Sequence, residues 1–350
     1  MKRIITLVLA LVLCLSMVAC GGASKEFTAD VFIYTFADTY TASVRDSMQT
    51  QFDELGIKAT FYDAANNQGT QTNQIETALA KGSDLLIVQI VTTGSEEAAL
   101  NIVEMAKEKD TPVIFFNREV SDNVVNSYDK CCFVGTDADE AGYMQGEMIA
   151  QLLSADYDKY DLNGDGNISY IMFKGELGNA EADGRTKYSV EEANRLLSEA
   201  GYAGLTYYDP NNSDMFQACN WDAALAQEAM ITALGTNPFT GDAPIEMIIA
   251  NCDDMATGAL EALKEVGYNL GSDPMIPVFG VDATDVACTA IRDGKMTGTV
   301  LQDAVGMAEC ITHLSNNIKE GKELMADTDS YIIDENVDKF RIPYGVYTGE

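Results

Sequence analysis

Oxygen-bearing side chains alternate in the sequence DLNGDGNIS, which begins at Asp161. Asp161, Asn163 and Asp165 have the spacing of the first three ligands of a calcium loop, and Gly166 occupies the position at which such a loop turns sharply. The bidentate Glu expected later in an EF-hand loop is absent, because Met172 stands there. The spacing favours a structural calcium site, with a solvated acidic turn as the alternative.

The residues after this loop predict a buried strand and not the second helix of an EF-hand. Ile168–Lys174 is apolar and partly β-branched, which is typical of a strand in a core. At about 3.3 Å per residue, such a strand is roughly 20 to 25 Å long. The polar residues at its far end, Gly175–Arg185, are therefore predicted to form a separate site.

Polar side chains also follow several other predicted strands, at the positions where ligands bind to open parallel sheets. They are amides, carboxylates and an arginine, with few nucleophiles. Polyhydroxylated ligands need such groups, because each hydroxyl both donates and accepts and because planar Asp, Asn and Arg ends can engage two hydroxyls at once. Tyr40 and Trp221 would supply aromatic faces for a sugar ring. The strand-end segments are 36–40, 117–119, 175–181, 251–254, 282 and 302–303.

Strands and helices alternate along the chain from residue 30. Continuous apolar runs such as Leu85–Ile90 and Val113–Asn117 are expected of parallel strands that are covered on both faces. The alternation restarts after the Asp161 loop and continues to a last amphipathic helix, Ala304–Lys319. Two runs of βα units predict an α/β fold with two Rossmann-like, doubly wound lobes.

Composition excludes several classes of function. A formal net charge of -33 argues against nucleic acid and against an anionic membrane surface as partners. The chain has eight cysteines without the spacing of a small disulfide scaffold, and we expect most of them to be buried thiols. A single histidine, His313, and the absence of a CxxC motif argue against a zinc site; no role is assigned to His313.

The first twenty residues have the pattern of an export signal. Lys2 and Arg3 precede an apolar run that is too short to span a membrane, and small residues lead to Cys20. Cleavage before Cys20 would resemble lipoprotein processing, with acylation of Cys20 and residues 21–26 as a short tether. The predicted location is extracytoplasmic and lipid-anchored at the membrane, and an ordinary secretory signal is the alternative.

Seven motifs of the chain are characteristic of one protein family. They are PVIFFNRE, VGTDADEAG, DLNGDGNIS, KGELG followed by Arg185, ANCDDMA, IPVFGVDA and TGTVLQDA. In these motifs the chain resembles the periplasmic galactose/glucose-binding proteins of bacterial ABC transporters, a family of type I solute-binding proteins, and the resemblance covers essentially the whole chain after the signal. It implies two lobes joined by a hinge of three crossings, the first lobe being 27–136 plus 303–334 and the second 137–302 plus 335–350. It also implies a monomer that closes around a monosaccharide and delivers it to an ABC permease.

Within this resemblance, several residues match sugar contacts of the family and others depart from them. The matching residues are Asp38, Tyr40, Asn117, Arg185, Trp221 and Asp282. The departures are Asn179 in place of His, Glu181 in place of Asp, and Cys252 and Gln302 in place of Asn. These departures are expected to change which hydroxyls of the ligand find a hydrogen-bond partner. The resemblance predicts a hexose like glucose or galactose, with a pentose or an autoinducer-type sugar as alternatives.

The resemblance also completes the predicted calcium loop. Glu246 matches the distant carboxylate that serves as the last ligand in the family. Asn167 would contribute its backbone carbonyl, and Ser169 stands where the family usually has a longer amide. The shorter hydroxyl predicts weaker calcium binding.

Structural alternatives exist for most of these residues. Asp38, Asn117 and Asp282 could be helix caps, which is a common role for Asp and Asn after a strand. Arg185 could form an ion pair on its helix with Glu181 or Asp183. Trp221 could be a core residue.

Three other functions were compared with solute binding. An enzyme would have to use Cys252 as its nucleophile beside Asp253 and Asp254, and neighbouring acids raise the pKa of a thiol, so no enzymatic activity is predicted. A transcriptional repressor of this fold needs an N-terminal helix-turn-helix, where this chain has an export signal. A sensor domain for a membrane signalling partner is compatible with the same site.

Overall fold

The computed structural model describes residues 26–272 and 274–349. The predicted signal, Cys20 and the tether up to residue 25 lie outside the described residues. Within them, no helix is both long and apolar enough to cross a bilayer. The strands are β1 Thr28–Ile33, β2 Lys58–Asp63, β3 Leu85–Val88, β4 Val113–Phe116, β5 Cys131–Gly135, β6 Ile168–Lys174, β7 Leu205–Tyr207, β8 Gln217–Ala218, β9 Met247–Ala250, β10 Val278–Asp282, β11 Gly298–Gln302, β12 Ile332–Ile333, β13 Lys339–Arg341 and β14 Tyr344–Tyr347.

Helices connect most of these strands, as βα units require. They are α1 Thr39–Leu55, α2 Gln68–Lys81, α3 Glu96–Glu108, α4 Asp122–Val125, α5 Glu140–Ala155, α6 Tyr157–Tyr160, α7 Ala180–Ala200, α8 Ala223–Thr236, α9 Asp253–Glu265, α10 Asp285–Arg292 and α11 Ala304–Lys319.

The strands form two sheets, one in each lobe. The first has the order β12-β13-β5-β4-β3-β1-β2, and the second has the order β14-β11-β10-β9-β6-β7, with β8 pairing to β6. All pairs are parallel except β12 with β13 and β11 with β14. The predicted α/β architecture of two doubly wound lobes is confirmed.

Both faces of each sheet are covered by apolar side chains. In β1, Val31 and Ile33 belong to one core cluster and Phe32 belongs to the cluster on the opposite face. Cys131 and Cys132 are likewise divided between these two clusters, because successive side chains of a strand point to opposite faces. All six described cysteines are free thiols, and all except Cys288 are buried, as the sequence predicts.

The chain passes between the lobes three times. It crosses after β5, after β11 and after β13. The first two crossings agree with the predicted lobe boundaries. The third was placed too early, after residue 334, because Lys339–Arg341 pairs with β5 in the first sheet. The boundary therefore follows Arg341, and only β14 returns to the second sheet.

Helix α5 is the largest element that the sequence reading did not predict. Its glycines weaken a helical pattern, but they allow α5 to lie directly against α7. A Cβ atom at Gly146 would lie 2.8 Å from the Glu192 Cβ and from the Ser189 carbonyl oxygen. Close packing of two helices, and not helix propensity, therefore explains the glycine at this position.

Candidate functional site

A cavity lies between the lobes, at the carboxyl ends of both parallel sheets. All ten residues that the sequence predicted as ligand contacts line it, and two further residues, Tyr34 and Arg118, complete the wall. The full lining is Tyr34, Asp38, Tyr40, Asn117, Arg118, Asn179, Glu181, Arg185, Trp221, Cys252, Asp282 and Gln302.

Asp38 both caps a helix and faces the cavity. One carboxylate oxygen accepts a hydrogen bond from the Thr41 backbone N–H at 2.6 Å, which fixes the start of α1. The other accepts one from the Tyr34 hydroxyl, also at 2.6 Å. Burial, and then the Asp38 carboxylate, raises the pKa of Tyr34, so Tyr34 remains a hydrogen-bond donor.

Asn117 and Asp282 are not helix caps. Ser121 caps the helix after Asn117, and Thr284 caps the helix after Asp282. Asn117 has a φ of 60°, a left-handed conformation that asparagine tolerates better than most residues. Its side-chain oxygen accepts a hydrogen bond from the Gln89 amide at 2.7 Å. The amide nitrogen is therefore the group that Asn117 can present to a ligand.

Arg118 is buried against the first lobe and reaches the second. Its Nε donates to the Ile90 carbonyl at 2.7 Å, and one terminal nitrogen donates to the Val91 carbonyl at 2.9 Å and to Glu176 of the second lobe. Its guanidinium lies 4.4 Å from the centre of the Tyr34 ring. The sequence places Arg118 at a strand end but predicts no ligand contact for it, although its position directly after Asn117 indicates one.

Arg185 joins the hinge to the wall of the second lobe. Its terminal nitrogens donate to the Asn251 carbonyl at 2.8 Å, to the Gln302 side-chain oxygen at 3.0 Å and to the Tyr344 hydroxyl at 2.9 Å. One of them lies 3.9 Å from an Asp282 oxygen. Arg185 is therefore not the surface ion-pair residue of the alternative interpretation.

The neighbouring acids of α7 confirm this placement. Asp183 forms its ion pair with Lys174 at 2.5 Å, and not with Arg185. The Glu181 carboxylate has no hydrogen-bond partner in the described protein.

Trp221 lies half-buried between the core of the second lobe and the cavity. A Cβ atom at Gly175 would lie 2.4 Å from the Trp221 ring, so only glycine permits the ring to pack there. The Arg185 guanidinium lies 5.9 Å from the centre of the same ring. Trp221 therefore packs against the core of the second lobe and also lines the cavity.

Burial raises the pKa of the acids and of the thiol at the floor of the second lobe. Burial raises the pKa of Asp253 to about 7, against hydrogen bonds from Thr299 and Thr284 that lower it. Burial also raises the pKa of Asp282, which Arg185 partly offsets. Burial and the Asp282 carboxylate raise the pKa of the Cys252 thiol well above its ordinary value. A neutral thiol is a poor nucleophile.

Four residues of the lining carry buried polar atoms that have no hydrogen-bond partner in the described protein. They are both carboxylate oxygens of Glu181, Nε of Arg185, Nε1 of Trp221 and Nε2 of Gln302. Glu181 is 4% exposed, and burial raises its pKa to about 7. An unpaired buried polar group costs about 1 to 3 kcal/mol, so these atoms are complementary to a ligand that both donates and accepts hydrogen bonds.

The predicted calcium loop lies at the opposite end of β6. Asp161 accepts hydrogen bonds from the backbone N–H groups of Gly164 and Gly166, each at 2.8 Å. The two Glu246 oxygens accept from Leu162 at 2.6 Å and from Ser169 at 2.7 Å. Glu246 thus lies beside the loop, where the resemblance puts it.

The remaining predicted metal ligands share this loop. Asp165 accepts hydrogen bonds from the Asn163 amide at 3.0 Å and from the Asn167 backbone at 2.8 Å, and the Ser169 hydroxyl donates to the Pro244 carbonyl. Across residues 26–272 and 274–349, no group of three or more His, Cys, Asp or Glu side chains is arranged to hold a metal. The chemistry of the donors fits calcium, because all six residues offer oxygen. Calcium binding stays a prediction.

Comparisons with known proteins extend this description. Residues 29–323 match the model of a periplasmic binding protein domain. The chain is 35% identical to the D-galactose/methyl-galactoside binding periplasmic protein MglB of Haemophilus influenzae, with 93% of this chain and 92% of that protein covered. It is 25% identical to the ribose import binding protein RbsB of Escherichia coli, over 93% of this chain and 95% of that protein.

A solved structure is similar over almost the whole length of the chain. It is an ABC transporter solute binding protein from Bacillus halodurans with bound myo-inositol, which has a TM-score of 0.70 and 26% identity. The match covers 94% of this chain and 96% of that one.

Proposed function

Because the chain belongs to the periplasmic binding protein family, we propose that it captures a monosaccharide between its lobes and delivers it to an ABC permease. The family resemblance noted in the sequence is confirmed, and so is the prediction that the chain is a binding protein and not an enzyme. Membership of this family places the protein outside the cytoplasm.

The buried polar atoms without protein partners carry this proposal. Glu181 offers two acceptors, and Arg185, Trp221 and Gln302 offer donors, all in one cavity. A sugar hydroxyl can donate to a carboxylate and accept from an N–H at the same time, so a ring with several hydroxyls can satisfy both sets. The Tyr40 ring of the first lobe and the Trp221 ring of the second lobe both line the cavity, which supports stacking on the apolar faces of the ring.

The ligand we propose first is a hexose like galactose or glucose. Support comes from the 35% identity to a galactose/methyl-galactoside binding protein. The more distant relatives are named for ribose and myo-inositol, so a pentose and a cyclitol belong in the same panel. The residues Asn179, Glu181, Cys252 and Gln302 are the positions that we expect to distinguish among these ligands.

Contacts across the cleft support closure of the lobes around the ligand. Arg118 of the first lobe pairs with Glu176 of the second, and the Thr39 hydroxyl donates to Asp254 at 2.9 Å. A ligand that touches both walls binds the closed form more tightly than the open one, and this difference drives the equilibrium towards closure. The permease would then recognise the closed form.

Titration calorimetry and thermal shift against a panel of monosaccharides test the proposal. We expect at least one hexose to bind and to raise the melting temperature. The chain has one tryptophan, Trp221, so ligand should also change the intrinsic fluorescence of the cavity wall. If no monosaccharide produces heat, stabilisation or a fluorescence change, and an amino acid does, the sugar assignment is wrong.

Two further features belong to the same proposal. Lipid attachment at Cys20 would keep the protein at the outer face of the membrane as a monomer near its permease, and labelling with a radioactive fatty acid in cells tests it. Calcium at the Asp161 loop would hold one end of β6. Asp161, Asn163, Asp165 and Glu246 would contribute side-chain oxygens, with the Asn167 carbonyl and Ser169 completing the set.

A further inference from the structure

Cys252 is the exception in a wall of strong hydrogen-bonding groups. It is 6% exposed, lines the cavity and directly precedes α9. The surrounding cavity residues are carboxylates, amides, guanidinium groups and aromatic rings. A free cysteine that is buried behaves as a small apolar group with a weak S–H donor.

The Cys252 thiol is also uncharged, as expected of an apolar group. Burial and the nearby Asp282 carboxylate raise the pKa of Cys252 far above its ordinary value, so the sulfur is uncharged at neutral pH. Asp254 and Asp38 raise that pKa as well, which places the thiol among carboxylates of both lobes. It therefore offers a ligand neither a charge nor a strong hydrogen bond.

Other residues show independently that this cavity is built for a ligand. Glu181, Arg185 and Gln302 are more than nine-tenths buried, and each has a polar atom that finds no partner within residues 26–272 and 274–349. These residues need hydroxyls on the ligand. The Cys252 sulfur does not, and a hydroxyl facing it would give up hydrogen bonds to water for a weak contact.

We propose that the solute presents a carbon without a hydroxyl to Cys252, so that the preferred ligand is a deoxy monosaccharide. The proposal rests on the function proposed above and deepens it. The hydroxyls on either side of the deoxy carbon would donate to Asp38 and Asp282, which lie near the thiol on either side of the cleft. The C–H group packs against the sulfur without losing a hydrogen bond.

Calorimetry with the best parent sugar of the panel and its monodeoxy analogues tests this inference. We expect one monodeoxy analogue to bind the wild-type protein about tenfold more tightly than the parent, because a tenfold ratio lies within the usual cost of an unpaired buried hydroxyl. In Cys252→Ser a full hydroxyl donor and acceptor replaces the thiol at nearly the same size. The preference for the deoxy analogue should then fall about tenfold, or reverse.

Two variants control for effects on folding. Cys252→Ala keeps the wall apolar and should retain the preference for the deoxy analogue. Cys288→Ser makes the same chemical change in α10, at a residue that does not line the cavity, and should leave the preference unchanged. Because the measured quantity is a ratio of two affinities in one protein, a general loss of stability cancels.

The outcomes separate this inference from the proposed function. If the parent binds the wild type at least as tightly as every monodeoxy analogue, the deoxy assignment is wrong and the sugar-binding function stands. An unchanged ratio in Cys252→Ser also overturns the role of the thiol. If no monosaccharide binds at all, both the proposed function and the deoxy assignment are wrong.

Discussion

At the residue scale, Glu181 lines the cavity at a cost to the free energy of unfolding. Its carboxylate is buried, and no group among the described residues donates a hydrogen bond to it. Burial is the main reason that its pKa rises from 4.5 to about 7. Between these pH values the folded state holds a proton that the unfolded chain has released, so the free energy of unfolding falls as the pH rises through this window.

This position predicts a pH-dependent gain in stability for Glu181→Gln. Above about pH 7 the wild-type protein bears the full cost of the buried charge, which can reach about 3 kcal/mol. We therefore expect the ligand-free variant to melt at a higher temperature than the wild type at about pH 8, and at nearly the same temperature at about pH 4. Differential scanning calorimetry at the two pH values measures the difference.

The same substitution should weaken sugar binding, because an amide offers one acceptor where the carboxylate offers two. Glu335→Gln, at an exposed acid away from the cavity, is the matched control and should change neither property. A gain in melting temperature that is equal at both pH values would show that removal of a buried charge is not its cause.

At the element scale, β6 connects the Asp161 loop to the cavity. Its first residues lie beside the Asp161 loop, and Gly175, which follows its last residue, packs against Trp221. The strand lies inside the second sheet, between β9 and β7, with β8 beside its end. A constraint at the loop therefore acts on a central strand of this lobe.

We predict that removing calcium lowers the melting temperature. An ion that binds only the folded state stabilises it by mass action, by about 2.7 kcal/mol when its free concentration is 100 times the dissociation constant. A chelator should therefore lower the melting temperature, and added calcium should restore it. Thermal melts with and without EDTA measure both effects.

Asp161→Asn should abolish the response to the chelator, whereas Asp214→Asn, an exposed acid elsewhere in the same lobe, should retain it. A wild-type melt that is identical in EDTA and in calcium would refute the proposed site. In that case the loop is a turn held by backbone hydrogen bonds to Asp161, Asp165 and Glu246.

At the scale of the whole molecule, the ion pair between Arg118 and Glu176 connects the two lobes. Arg118 is 4% exposed, while the Glu176 side chain is 34% exposed at the edge of the cleft. Glu176 does not line the cavity. Its effect on binding should therefore be exerted through the equilibrium between open and closed forms, and not through contact with the sugar.

We expect Glu176→Gln to lower the sugar affinity by about three- to tenfold. Loss of the ion pair leaves more of the ligand-free protein in the open form, and part of the binding free energy is then used to close it. Small-angle scattering should show a larger radius of gyration for the ligand-free variant than for the ligand-free wild type. Saturating sugar should bring the two proteins to the same value.

Asp110→Asn removes the acid of an exposed ion pair with Lys130 in the first lobe, and it should leave both affinity and radius unchanged. An unchanged affinity in Glu176→Gln would mean that this ion pair contributes nothing to closure.

The sequence predicted the two lobes from local pattern, and it predicted the cavity lining from strand ends together with the family resemblance. Alternating runs of apolar strand and amphipathic helix require parallel sheets, and the carboxyl ends of those strands must meet at one edge. Asp38, Asn117 and Asp282 could thus be assigned from their place after a strand. Helix α5 was missed because its glycines are explained by packing against α7, which no local pattern shows.

Long-range geometry was decided only by the tertiary structure. The sequence by itself determined the two α/β lobes, the family and ten of the twelve cavity residues. The fold decided that Arg118 reaches Glu176 in the other lobe, that the third crossing follows Arg341, and that Asp38 caps a helix while Asn117 and Asp282 do not. The periodicity of apolar residues indicates which face of a helix or strand is buried. Contacts between residues distant in the chain depend on packing, and packing is determined only when the lobes have formed.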